Sequence, residues 1–105
     1  MAQFDVHRNS GQHRETIPFV VIVQSSLFDN YRRRVVVPLV LKSMLGITEN
    51  RMNPAFTIAE VEVVLHPLEM VSVATEQLGE KVASLTEEGG RISDALDELL
   101  TRSWS

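Results

Sequence analysis

Apolar residues alternate with polar ones at the start of the chain and then form two longer apolar runs. Alternation over Gln3 to Arg8 predicts a half-buried first strand whose polar residues face solvent. The run Ile17 to Gln24 is almost wholly apolar and β-branched, which is typical of a strand covered on both faces. Arg33 to Leu39 has the same character. We expect this third strand to end near Pro38, because proline lacks the N–H of a sheet ladder.

Turn-forming residues separate these strands from a second group of short ones. The cluster Asn9 to Gln12 predicts a hairpin between the first two strands, with Gly11 at a positive φ. A helical turn over Val40 to Leu45 is expected to stop at Gly46. Three further apolar segments predict strands at Ala55 to Ile58, Glu60 to His66 and Met70 to Ala74.

The C-terminal part has the period of an amphipathic helix. Apolar residues recur at intervals of three and four along one stripe that comprises Ile92, Ala95, Leu96 and Leu99. Ser84 and Glu87 have the spacing of a capping box, which would begin the helix at that serine. Gly89 and Gly90 each oppose a helix by about 1 kcal/mol relative to alanine, so we expect an irregular first turn.

Two pairs of opposite charge, Glu87–Arg91 and Glu98–Arg102, are spaced to meet on the surface of that helix. Short strands followed by one terminal helix predict a mainly β fold, a small antiparallel barrel with the α-helix packed on it. The 105 residues are expected to form one domain, residues 1–105. The core of so short a chain is modest, and we expect a dimer to add stability.

Composition and charge exclude several classes of function. A net charge of -4 and a pI near 5.3 argue against non-specific binding to nucleic acid or to an anionic membrane. The chain has no cysteine, which suits a reducing cytoplasm. No apolar run approaches the roughly 18–20 residues of a membrane helix, and the first ten residues lack a signal pattern. We therefore expect a cytoplasmic protein.

Residue types that carry catalysis or bind metals form no convincing constellation. We expect no metal and no cofactor, and we expect surface or strand-end positions for the histidines His7, His13 and His66. Glu60 and Glu62 share a strand face if the alternation holds, which favours a solvated face over acid–base chemistry. The run Arg32 to Arg34 could bind a phosphate or carboxylate, but the acidic balance of the chain favours a solvated edge.

Apolar residues stand at two places where a core residue is unexpected. Leu27 and Phe28 interrupt the polar turn Ser25 to Asp29, either packed beneath the sheet or exposed as a patch for a partner. Trp104 lies between two serines next to the last residue. It is either an interface anchor, since tryptophan is enriched among binding hot spots, or a side chain folded back on its own helix.

Six segments occur in the order and spacing of a known toxin family: Gln3-Phe4, Phe19 to Ser25, Arg33 to Leu39, Met70 to Val73, Gly79 to Leu85, and the helix with Ile92, Ala95 and Leu96. Together they cover nearly the whole chain, which resembles the CcdB toxins of plasmid and chromosomal toxin–antitoxin modules. The resemblance implies an SH3-like barrel of the CcdB and MazF type, a homodimer, and a protein that is not an enzyme. It implies that the dimer binds the GyrA subunit of DNA gyrase and traps the cleaved gyrase–DNA complex. It also implies a CcdA-like antitoxin that neutralises the toxin.

The resemblance further implies gyrase-binding residues, part of which this chain retains. The serine and the two apolar turn residues of the family are present as Ser25, Leu27 and Phe28. A helix asparagine of the family corresponds to Asp97, and the aromatic residue before the terminal tryptophan corresponds to Leu100.

The chain departs from the family at its end. The Trp-Gly-Ile ending of gyrase-poisoning members aligns with Thr101, Arg102 and Ser103 and matches none of them, while Trp104 follows three residues late. Three functions are therefore open. The first is a gyrase poison that uses Trp104 in a displaced position. The second is a homologue with lost or redirected toxicity that keeps the dimer and antitoxin binding. The third, which needs a basic groove and a general base, is a MazF-like RNA-cleaving toxin.

Overall fold

The computed structural model describes residues 2–46 and 49–102. Seven strands and two α-helices follow one another in this part of the chain: β1 (Asp5–Asn9), β2 (Phe19–Ile22), β3 (Arg33–Leu41), α1 (Lys42–Leu45), β4 (Ala55–Ile58), β5 (Val61–Leu65), β6 (Val71–Ala74), β7 (Leu78–Ser84) and α2 (Gly89–Asp97). Short 3₁₀ turns occupy Ser26–Phe28, Pro67–Glu69, Thr75–Gln77 and Thr86–Glu88, and a π-helical turn, Glu98–Arg102, extends α2.

The strands form one curled half-barrel sheet in which every pair is antiparallel. Their order is β4-β5-β3-β2-β1-β7, and β6 pairs with the first part of β3. The mainly β fold with a C-terminal helix is thus confirmed. The predicted stop of the helical turn at Gly46 is confirmed, because this glycine caps α1 with a φ of 67°. The turn begins at Lys42 and not at the predicted Val40, since β3 continues to Leu41.

The strand β3 continues beyond Pro38 to Leu41, so the predicted end of this strand was wrong. Its neighbour is β6 as far as Val36 and β5 from Leu39 onward, and Pro38 lies between the two pairings. On the other side Pro38 is opposite Val20 of β2. A proline at the place where the partner strand changes removes little from the ladder, which explains why the strand tolerates it.

The first strand is buried on both faces, contrary to the half-buried strand predicted from its alternation. Val6 lies in the core, and Asp5 and His7, which point to the opposite face of the strand, are buried as well. β1 pairs with β2 along one edge and with β7 along the other. The Asp5 carboxylate accepts a hydrogen bond from the Ala2 N–H and lies 3.3 Å from Lys81 Nζ. His7 Nδ1 donates to the Gly79 carbonyl at 2.8 Å, since a carbonyl can only accept. Lys81 and Gly79 both belong to β7. This strand was not predicted, because its charged residues obscure the alternation of apolar and polar positions.

Two turns differ from the sequence prediction. The hairpin between β1 and β2 is confirmed, but the positive φ lies at His13 (63°), and Gly11 has none. The hairpin between β4 and β5 turns through Ala59 and Glu60, with φ values of 49° and 69°. Glu60 therefore lies outside the strand and does not share a strand face with Glu62.

The core lies between one face of the sheet and α2. Its buried side chains are Val6, Phe19, Val21, Val37, Leu39, Phe56, Ile58, Val63, Leu65, Leu85, Ile92 and Ala95. Ile92 and Ala95 are fully buried and Leu96 packs against them, which confirms the predicted apolar stripe of the helix. Burial of these side chains fixes the upstream half of α2 on the sheet.

The predicted capping box is wrong. Ser84 is the last residue of β7, and its Oγ accepts from the Thr86 N–H at 3.3 Å. The Leu85 N–H donates to the Phe4 carbonyl, so the chain is still bound to the sheet at the position where the helix was expected to begin. A 3₁₀ turn follows, and α2 begins at Gly89, which confirms an irregular first turn.

One predicted ion pair of the helix, Glu87–Arg91, is wrong, whereas the other, Glu98–Arg102, involves a side chain outside those that the structure describes. Arg91 pairs with Glu88 at 2.9 Å and with Glu49 at 3.1 Å, and not with Glu87. Glu98 lies 3.4 Å from Arg51 Nε. These contacts join α2 to the segment that precedes β4.

Candidate functional site

The segment between β2 and β3 carries the first group of predicted site residues. Ser25 begins its 3₁₀ turn, with Oγ accepting from the Leu27 N–H at 3.2 Å. The Ser25 carbonyl accepts from the Phe28 N–H at 3.0 Å, and the Phe28 carbonyl accepts from the Tyr31 N–H at 3.1 Å. The segment from Ser25 to Arg32 is called the β2–β3 loop below.

Three large side chains of the β2–β3 loop are exposed. The exposed fractions are 84% for Leu27, 49% for Phe28 and 66% for Tyr31. The Phe28 and Tyr31 rings are tilted by 44° with centroids 6.2 Å apart. Of the two alternatives left by the sequence, the exposed position is therefore the observed one. Leu27, Phe28 and Tyr31 together are called the loop patch, and clustered apolar groups of this kind mark interaction sites.

Tyr31 was missed by sequence reasoning, which stopped at the apolar pair before it. The signal was the chain's single tyrosine, which stands among the polar residues Asp29, Asn30 and Arg32 directly after the apolar pair. Tyrosine combines an apolar ring with a polar tip, and for that reason it is enriched at protein interfaces.

The run Arg32 to Arg34 forms the expected solvated edge only in part, because Arg32 and Arg33 are exposed and Arg34 is not. Arg34 is buried, with 6% of its surface exposed, and its guanidinium donates to carbonyls of the loop. Arg33 is exposed and donates to Ser72 of β6. The phosphate-binding alternative finds no support at Arg34, because its side chain turns inward.

The second group of predicted residues lies at the end of α2. Asp97 is exposed and is the last residue of the α-helix. Its carbonyl accepts from Thr101 Oγ1 at 2.7 Å, within the π-helical turn. Leu100 is 62% exposed. Arg102 is the last residue of the second described range, and Ser103 and Trp104 lie outside the described residues.

The two groups of predicted site residues lie on separate segments, and each segment is held by polar contacts to a different part of the chain. The β2–β3 loop is bonded to β3 through Arg34, whereas the end of α2 is bonded to the segment before β4 through Glu98 and Arg51. Each segment exposes apolar surface, Leu27 on one and Leu100 on the other. The chain thus offers two apolar contact surfaces, held by different neighbours.

Two clefts of the described chain do not resemble a nuclease groove. One of about 340 Å³ lies on the face of the sheet opposite α2, with walls formed mainly by Val20, Val36, Val71 and Val73. A more polar one, of about 380 Å³, is lined by three glutamates against Lys42 and Arg91. Arg91 is already occupied there, since it stacks on Phe56 at 4.5 Å and pairs with two of the glutamates. An acidic cleft repels the phosphates of RNA.

The histidines are dispersed over the fold. His7 is buried, contrary to the surface or strand-end position expected, whereas His13 is exposed and His66 is half-buried. Within residues 2–46 and 49–102, no group of three or more His, Asp or Glu side chains is placed to hold a metal ion. Over the same residues, no helix has the length and apolarity to cross a membrane.

Comparison of the sequence with models of known protein families identifies the family of this chain. The family model described as CcdB protein matches residues 3–101, nearly the whole chain. The chain belongs to the CcdB family. Membership of the CcdB family implies a toxin of a toxin–antitoxin system, with an antitoxin as its partner. No curated protein matches the chain.

Proposed function

We propose that this CcdB-family toxin binds the GyrA subunit of DNA gyrase and traps the cleaved gyrase–DNA complex. The observation that carries the proposal is the loop patch. Leu27 and Phe28, which correspond to the gyrase-contacting turn residues of the family, are exposed side by side on a loop closed by Ser25. Apolar side chains exposed in this way gain free energy when a partner covers them.

The end of α2 supplies the second part of the proposed contact. Asp97, Leu100 and Thr101 lie on its last turns, and Arg102, Ser103 and Trp104 follow in sequence. The exposed Leu100 replaces an aromatic residue of the family, so it offers less area for stacking. We propose that Trp104 supplies the aromatic contact from its position three residues later.

The proposed action is that of a binding protein without catalysis or cofactor. Gyrase itself cleaves the DNA, and the toxin stabilises the cleaved state. We propose that the chain acts as a homodimer in the cytoplasm, where gyrase and a CcdA-like antitoxin are present. The net charge of -4 disfavours direct contact with DNA.

Trapping of the cleaved complex tests the proposal directly. Purified protein is incubated with gyrase and supercoiled plasmid, the reaction is stopped with detergent and protease, and linear DNA is measured on a gel. We expect linear DNA in proportion to the added protein and none when gyrase is left out. The absence of linear DNA at a protein excess that saturates gyrase would refute the proposal.

A second candidate function is a toxin that has lost or changed its target. The rewritten ending favours it, because Thr101, Arg102 and Ser103 match none of the residues that the family places there. Inducible expression in a bacterium separates the two candidates. A gyrase poison induces the DNA-damage response and arrests growth, and a mutation in GyrA relieves the arrest. Arrest that persists in gyrase mutants would support a different target.

The homodimer is tested by sedimentation of the purified chain. We expect a single species of about twice the 11.8 kDa chain mass at micromolar concentration. A monomer at this concentration would contradict the proposed dimer without touching the family assignment.

A further inference from the structure

We infer that Arg34 and Gln24 are positioning residues, which hold the β2–β3 loop in the shape that presents the loop patch to its partner. The identity of that partner rests on the function proposed above. The two side chains face the loop from its two ends, one in β3 and the other just after β2. Neither belongs to the loop patch itself. They are called the clamp below.

Arg34 contributes the larger part of the clamp. Its Nη1 donates to the carbonyls of Tyr31 and Arg33, and its Nη2 donates to the carbonyl of Asp29 at 3.0 Å. The Asp29 carboxylate is 3.8 Å from Nη2, so the contact is made mainly to the backbone. The planar guanidinium holds several donors in fixed directions and can thus satisfy carbonyls on both sides of a turn.

Gln24 closes the loop from the other end. Its Nε2 donates to the carbonyls of Phe28 at 3.2 Å and Arg33 at 3.3 Å, and its Oε1 accepts from the Val35 N–H at 3.2 Å. Together the clamp side chains bond the carbonyls of Phe28, Asp29 and Tyr31. Two of these residues are members of the loop patch, so the bonds act directly on the backbone that carries it.

The clamp has a cost that a purely structural residue would not need to bear. Arg34 Nε is buried and has no hydrogen-bond partner within the described part of the chain. A buried donor without a partner lowers stability, because the hydrogen bonds it made to water are not replaced. An aliphatic side chain at this strand position would avoid that cost but would leave the carbonyls of Asp29 and Tyr31 without these bonds. A loop ordered in this way before binding loses less entropy when it binds.

The neighbouring Arg33 provides a matched control. It stands in the same strand and carries the same charge, but it is exposed and donates to Ser72 of β6. Arg34→Lys keeps the charge and removes the planar fork, and Arg33→Lys makes the same change outside the clamp. Asp29→Asn tests whether the carboxylate matters at 3.8 Å, and we expect it to behave as the wild type does.

Amide hydrogen exchange in the full chain tests the clamp without any partner. We expect Arg34→Lys to accelerate exchange of the Phe28, Asp29 and Tyr31 amides at least tenfold, while core amides such as those of Val21 and Val37 stay within twofold. Arg33→Lys should leave both sets within twofold. Unchanged loop exchange in Arg34→Lys would overturn the inference. Equal acceleration of loop and core amides would do so too, because it would show a general loss of stability.

Gln24→Met is the second variant, for the case in which Arg34→Lys does not fold. It removes the polar contacts of Gln24 and leaves Arg34 in place, and we expect a smaller acceleration confined to the same loop amides. Exchange at the wild-type rate in this variant would exclude Gln24 from the clamp and overturn the inference for that residue.

Binding to the dimerisation domain of GyrA tests the consequence. We expect Arg34→Lys to weaken affinity about tenfold and Arg33→Lys to leave it within twofold. A loosened loop with wild-type affinity would overturn the positioning role. A wild-type chain that does not bind gyrase would refute the proposed function, whereas the exchange comparison would still uphold or refute the clamp.

Discussion

The β2–β3 loop and the end of α2 both expose apolar side chains, yet they are held in opposite ways. The loop is fixed directly beneath its exposed residues, by side chains of Gln24 and Arg34 that bond its carbonyls. The helix is fixed upstream, where Ile92 and Ala95 are buried. Its last turns carry no fully buried side chain among residues 97–101.

This difference parallels the correspondence that the resemblance to the family implies. By that correspondence the loop keeps a serine and two apolar residues, whereas Asp97 and Leu100 stand in place of an asparagine and an aromatic residue. Exposed positions at the end of a helix change at little cost to folding, because few buried contacts depend on them. The loop is constrained by its own hydrogen bonds, so fewer sequences satisfy it.

Leu27→Asp should weaken binding to gyrase more than the other substitutions below, if the β2–β3 loop carries most of the contact with GyrA. A charge forced into an apolar interface lowers affinity by at least about 3 kcal/mol, roughly a hundredfold or more. Stability should not change, since Leu27 is 84% exposed. The measurement is trapped linear DNA as a function of protein concentration, together with the thermal unfolding midpoint.

Leu68→Asp is the control for this change. Leu68 is 63% exposed in the 3₁₀ turn Pro67–Glu69, outside both proposed contact segments. It should trap the gyrase complex as the wild type does. Equal losses in the two variants would show that added charge weakens binding wherever it is placed, and the loop would lose its special role.

Trp104→Ala should cause the next largest loss of affinity for GyrA. Truncation of an interface tryptophan typically costs at least about 2 kcal/mol, which is roughly a 30-fold change in Kd. His66→Ala, outside the proposed contact, should leave the affinity for GyrA unchanged. Small and equal effects of the two substitutions would remove Trp104 from the interface and leave the loop as its main part.

Gly89→Ala and Gly90→Ala test how the upstream end of α2 is held. A Cβ at Gly89 would lie 2.6 Å from the Phe4 ring, whereas a Cβ at Gly90 meets no heavy atom within 4 Å. We expect the first change to lower the free energy of unfolding by about 1–3 kcal/mol. The second should raise it by up to about 1 kcal/mol. Chemical denaturation measures both, and a stable Gly89→Ala variant would show that Phe4 does not fix this end.

Asp97→Asn should have the smallest effect. It introduces the asparagine that the resemblance to the family implies for this position, and it removes a negative charge from an exposed helix end. We expect a small rise in affinity for GyrA, carried by the association rate, because rim charges act mainly on that rate. Asp94→Asn makes the same charge change one turn earlier. An equal gain in affinity from both substitutions would show that the effect comes from net charge and not from position 97.

Much of the fold could be predicted from the sequence, because its strands are short apolar runs with clear ends. The strand Ala55–Ile58 was predicted at its observed bounds, and the buried stripe of α2 followed from its period. The strand β7 was not predicted, since Glu80 and Lys81 are exposed and hide the apolar pattern. Burial of Asp5 and His7 depends on partners in that same strand, so a local pattern could not show it.

The candidate site was predicted only in part. Leu27 and Phe28 could be recognised as unusual in a polar turn, but their exposure depends on how the loop folds. The clamp was missed because an arginine in a run of three is usually solvated. Only the hydrogen bonds of its guanidinium in the folded chain show that Arg34 lies beneath the loop.

Calorimetric titration of the wild-type protein into the dimerisation domain of GyrA is the most direct test of the proposed function. The unfolding transition of the same sample establishes that the protein is folded. We predict saturable binding with a stoichiometry of one toxin dimer for each GyrA dimer. The absence of any binding heat and of complex in gel filtration, with a cooperatively folded dimer, would contradict a gyrase-directed toxin.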